Sequence, residues 1–62
     1  MYEIRAIEHN GEVRAKTFAR TRAEAATKAR ALARAYQCAV KVWRDGRYAF
    51  AVLAPLTQRL RK

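Results

Sequence analysis

Two dipeptides constrain this chain more than anything else in it. Asn10-Gly11 and Asp45-Gly46 hold its only two glycines. A two-residue hairpin loop needs φ > 0 at its central positions, and Asn, Asp and Gly reach that region at the least steric cost. Each dipeptide sits between short runs that suit a strand: YEIRAIE and EVRAKTF around the first, VKVW and RYAF around the second. The chain is therefore expected to form one hairpin near each end, with residues 19–39 free to do something else.

That middle stretch carries helix signals. In TRAEAATKARALARAY, residues 21–36, Thr21 and Glu24 have the spacing of a capping box, and alanine and straight-chain residues fill the interior. Ala25, Ala29, Leu32, Ala33 and Tyr36 recur at helical spacing and mark the side to be buried. Thr27, Lys28, Arg30 and Arg34 fall outside that stripe. The expected fold class is α+β with order ββαββ, one helix packed on one face of a small four-stranded sheet, antiparallel or mixed. A single domain over residues 1–55 is expected to end at Pro55, followed by a basic tail over 56–62.

Counting outward from each loop sorts the side chains. With Asn10-Gly11 as the loop, His9 faces Glu12, Ala6 faces Ala15 and Ile4 faces Thr17. Tyr2, Ile4, Ala6, Val13 and Ala15 then share one face, and Glu3, Arg5, Arg14 and Lys16 the other, with Ile7 and Phe18 among them. With Asp45-Gly46 as the loop, Trp43 faces Tyr48, Val42 faces Ala49 and Lys41 faces Phe50. This puts Lys41, Trp43, Tyr48, Phe50 and Val52 on one face, and Val40, Val42, Ala49, Ala51 and Leu53 on the other. Two packings remain open. The aromatic face can fill the space left by an alanine-rich helix, or it can lie outside and meet a ligand or a second subunit.

Sixty-two residues allow one modest core. One cysteine and one histidine give neither a disulfide nor a structural zinc set, and no cofactor is expected. The chain has no serine, His9 lies at a turn, Cys38 sits between helix and strand, and both glycines are committed to hairpins. A non-enzymatic protein is expected. No apolar run approaches the roughly 20 residues of a membrane span, and no signal peptide is recognised. A soluble protein of the cytoplasm is the expectation.

Charge is the strongest compositional signal. Fourteen Lys and Arg against five Asp and Glu give +9. Residues 1–24 hold five bases and four acids, while 25–62 hold nine bases and one acid. Such a balance suits an anionic partner, either nucleic acid or an acidic protein or ribonucleoprotein surface. Aromatics interleaved with bases are what stacking on nucleobases requires. The candidate contact residues on the two hairpins are Arg5, Arg14, Lys16, Lys41, Trp43, Arg44, Arg47, Tyr48 and Phe50. Arg30 and Arg34 on the helix and Arg59 and Arg61 in the tail join them on charge alone.

VRAKTFARTRAEA, a basic strand running through Phe18 into a Thr-capped helix, resembles the arm-type DNA-binding domains of phage integrases over residues 2–36. Those domains have three strands before the helix where this chain has two, and Arg14 and Lys16 are the positions that carry over. The resemblance implies DNA binding by a sheet. In size and layout the chain is also similar to small phage anti-CRISPR proteins, which implies an inhibitor of a host nucleic-acid-handling complex. A structural homodimer is the third alternative.

Overall fold

A computed structural model describes residues 1–53; Pro55 and the tail over 56–62 lie outside the described residues. The order is β1 (Tyr2–Ile7), β2 (Val13–Ala19), α1 (Arg22–Tyr36), β3 (Ala39–Arg44) and β4 (Arg47–Val52). The four strands form one sheet in the order β2-β1-β3-β4, and every neighbouring pair is antiparallel. The fold is α+β, with α1 on one face.

The helix starts where its cap chemistry dictates. The Thr21 hydroxyl accepts the Glu24 backbone N–H at 3.1 Å. The Glu24 carboxylate reaches back to the N–H of Arg20 at 3.3 Å, one residue before the cap, so the box closes one position earlier than expected. Gln37 ends the helix in the left-handed region at φ 58°, with its N–H on the Ala33 carbonyl. Ala25, Ala29 and Ala33 are buried against Ile4, Ala6, Val40 and Val42. Tyr36, expected in that stripe, is 40% exposed. The alanine stripe lets helix and sheet approach closely, and among the described residues the largest fully buried side chains are Ile4, Val40 and Val42.

Each hairpin departs from simple counting by one inserted residue, with opposite consequences. At the first, the Gly11 N–H bonds to the Glu8 carbonyl at 2.8 Å and the Glu8 N–H to the Glu12 carbonyl at 2.9 Å. The loop is thus His9-Asn10-Gly11, three residues, with Gly11 alone at positive φ. Glu8, not His9, stands opposite Glu12. A register shift between Ala6 and Ile7 then leaves Arg14 as an extra residue and restores the expected Ala6–Ala15 and Ile4–Thr17 pairs. Val13 is the casualty. It pairs with Ile7, away from the helix, and is 47% exposed.

The second hairpin has the expected two-residue loop, with Asp45 and Gly46 both at positive φ. Arg44 faces Arg47 and Trp43 faces Tyr48. Beyond them Ala49 bulges, so that Val42 faces Phe50, Lys41 faces Ala51 and Val40 faces Val52. A one-residue shift sends every later side chain to the opposite face. Phe50 and Val52 therefore lie on the helix side, packed against the core, and Ala51 lies on the open side. The expected grouping of Phe50 with Lys41, Trp43 and Tyr48 is corrected on this point. The reason is bulk: Phe50 and Val52 set more apolar surface against the core than Ala51 would, and Ala49 at the bulge packs there as well.

Candidate nucleic-acid interface

The face of the sheet away from α1 carries three aromatic and three basic side chains. Because opposed residues share a face, the pairings define cross-strand rows. One row runs Phe18, Glu3, Trp43, Tyr48 from β2 to β4. The next runs Lys16, Arg5, Lys41, Ala51. The third is Val13, Ile7, Ala39. An aromatic row therefore lies directly beside a cationic one.

Contacts within this face hold its rings in place. Trp43 and Tyr48 meet edge to face, with centroids 6.2 Å apart and planes at 79°. The Arg5 guanidinium lies 4.6 Å from the Trp43 ring centroid. Arg5 also donates to Glu3 at 2.6 Å, and Lys16 approaches the same carboxylate at 3.9 Å. The hydrogen bond from Arg5, then the charges of Arg5 and Lys16, outweigh the opposing desolvation and hold the Glu3 carboxyl below its ordinary range. Glu3 is the one carboxylate among these rows, and it offsets one of three cations. Tyr48 and Phe18 remain 60% and 47% exposed.

Five of the sequence candidates thus meet on the open face: Arg5, Lys16, Lys41, Trp43 and Tyr48. Arg14 sits at the bulge of the first hairpin, ion-paired with Glu8. Arg44 is opposite Tyr2 and Arg47 opposite Arg44, which places both at the sheet end on the helix side. Phe50 is on the helix side too, beneath the Arg22 guanidinium at 4.5 Å. Arg30 and Arg34 are exposed on α1 near Val52 and Leu53. Arg59 and Arg61 lie outside the described residues.

Sequence reasoning missed Phe18 on the open face, and it missed Arg22 beside Phe50 on the helix side. The signal for Phe18 was present, since the expected register already set it among Arg5, Arg14 and Lys16. Arg22 had no such signal, because its ring partner Phe50 reaches it only through the Ala49 bulge.

Other chemistry-bearing groups are occupied or isolated. Burial, with the negative charge of Glu8 adding to it, raises the Cys38 thiol above its ordinary range, which favours the unreactive protonated form. Among the described residues no three His, Cys, Asp or Glu side chains converge as a metal site would need. No described helix is long and apolar enough to cross a membrane. No family model matches this sequence, and neither a curated protein nor a solved structure matches it.

Proposed function

We propose that this protein is a small, basic, non-enzymatic module that binds single-stranded nucleic acid across the open face of its sheet. The observation that carries the reading is the pair of adjacent rows, Phe18, Trp43 and Tyr48 beside Lys16, Arg5 and Lys41. Rings offer stacking surface to unpaired bases, worth about 1–3 kcal/mol per base, while the cations neutralise phosphates. Arg5 serves both ends, as a cation for phosphate and as a group set over the Trp43 ring.

Width favours a single strand over a duplex. Four strands at a spacing of about 4.8 Å span roughly 14 Å of backbone alone, whereas a B-DNA major groove is about 12 Å wide and takes a two-stranded ribbon. Charge disfavours self-association by this face, since a second copy would oppose Arg5, Lys16 and Lys41 to one another. The inhibitor reading uses the same surface against an acidic protein assembly, and binding to such an assembly without affinity for free strands would select it.

The test is a titration of Trp43, the sole tryptophan, with single-stranded and duplex oligonucleotides at low and physiological salt. Expected are quenching by the single strand and a log–log salt slope of roughly −1.4, from two uncompensated cations at about −0.7 each, Glu3 offsetting the third. An emission that neither oligonucleotide changes at low salt overturns the proposal.

A further inference from the structure

At the end of the sheet, on the helix side, a cleft of about 480 Å³ is lined by Tyr2, Arg22, Arg44, Asp45, Arg47, Tyr48 and Ala49. Three of these are arginines drawn from two elements distant in sequence, α1 and the β3–β4 hairpin. Two of the guanidinium groups are steadied by rings. Arg22 lies over Phe50 at 4.5 Å and Arg44 lies near the Tyr2 ring at 5.8 Å. A cation–π contact uses none of a guanidinium's N–H donors.

Those donors are largely unspent. Among the described residues neither Arg22 nor Arg47 has a carboxylate partner, and Arg44 has only Asp45 at 3.9 Å. Asp45 itself is turned to the amino terminus of Met1 at 3.1 Å. Three like charges around one concavity repel one another unless an anion sits between them. Arginine's fork of donors matches the oxygens of a phosphate.

We infer that this cleft binds a phosphate monoester, the terminal phosphate of a strand whose bases lie on the open face. Tyr48 makes the connection: it belongs to the aromatic row and also lines the cleft. A dianionic terminal phosphate fits three guanidinium groups better than a singly charged internal phosphodiester does. The inference rests on the open-face reading for the rest of the ligand, while the cleft's own affinity for phosphate is independent of it.

The experiment compares one short oligonucleotide carrying a 5′-phosphate, a 3′-phosphate or neither, alongside titration with pyrophosphate followed by the arginine Nε–H resonances. One terminal phosphate should raise affinity roughly tenfold, as a few charge-assisted hydrogen bonds would. Arg22→Gln should abolish that gain and change affinity for the unphosphorylated strand less than about twofold. Pyrophosphate should shift Arg22, Arg44 and Arg47 and leave Arg30 and Arg34 in place. If no terminal phosphate improves binding and pyrophosphate moves none of the three, the cleft is not a phosphate site, whatever the open face does. If pyrophosphate moves the three while the unphosphorylated strand fails to bind, the open-face reading falls and the phosphate site stands.

Discussion

The two faces of this sheet use their side chains in opposite ways. The covered face has Ile4, Ala6, Val40 and Val42 fully buried, set against three alanines of the helix. The open face carries Phe18, Trp43 and Tyr48 with Arg5, Lys16 and Lys41. A chain of this length can bury only about 60% of its unfolded surface and has few large apolar groups to do it with. Three of its six aromatics nevertheless lie on the side away from α1. Placing them there gives up burial that a marginal core could use, and that cost is what points to a partner for the face.

The largest effect should come from the covered face. Ile4→Ala removes one of the three largest fully buried side chains and should cost about 2–5 kcal/mol. For a domain whose whole stability is on the order of 3–9 kcal/mol, chemical denaturation should find the variant close to unfolded. A loss below about 1 kcal/mol would mean that the core collapses around the gap and that the covered face is not where stability resides.

The comparison sharpens when one ring is removed from each face of the same strand. Phe50→Ala should lower the denaturation midpoint and leave affinity for a strand without a terminal phosphate unchanged within about twofold. Tyr48→Ala should do the reverse, weakening binding by roughly 5- to 150-fold, which corresponds to about 1–3 kcal/mol of stacking, with little change in midpoint. If both variants lose stability and neither loses affinity, the division between the faces does not hold.

A smaller effect should follow from Glu3. Its carboxyl titrates below the ordinary range, so its contribution to stability is present above the unfolded value and lost as pH falls through the folded one. Binding should change in the opposite sense, since protonation frees Arg5 and Lys16 for phosphate. Glu3→Gln should therefore raise affinity roughly two- to threefold at neutral pH and flatten the rise seen for the parent protein as pH falls. An affinity that drops in the variant would show Glu3 to be an organiser of Arg5 and not a competitor for it.

Much of this was legible in the sequence because it depends on local chemistry. Asp45-Gly46 can hardly be anything but a tight loop, and Thr21 with Glu24 marks the first turn of a helix within one residue. The two inserted residues were not legible. His-Asn-Gly can close a hairpin as two residues or as three, and both choices satisfy Gly11. In Ala49-Phe50-Ala51 either face could take the phenylalanine without offending the local pattern. Packing against a distant helix decided it, and so moved Phe50 out of the candidate site and brought Arg22 beside it. The strand order, with β1 and β3 at the centre, depends likewise on contacts between residues far apart in sequence. Five open-face residues were nonetheless found, because the first hairpin regains its expected register beyond its bulge and the second keeps it up to Tyr48, before its own.

The most direct measurement follows the aromatic ring resonances of all six rings during titration with a single strand bearing no terminal phosphate. Phe18, Trp43 and Tyr48 should shift together and saturate at one dissociation constant, while Phe50 and Tyr36 stay where they are. Movement of Phe50 and Tyr36, with still rings on the open face, would place the nucleic acid on the helix side and contradict the assignment of the sheet face as the interface.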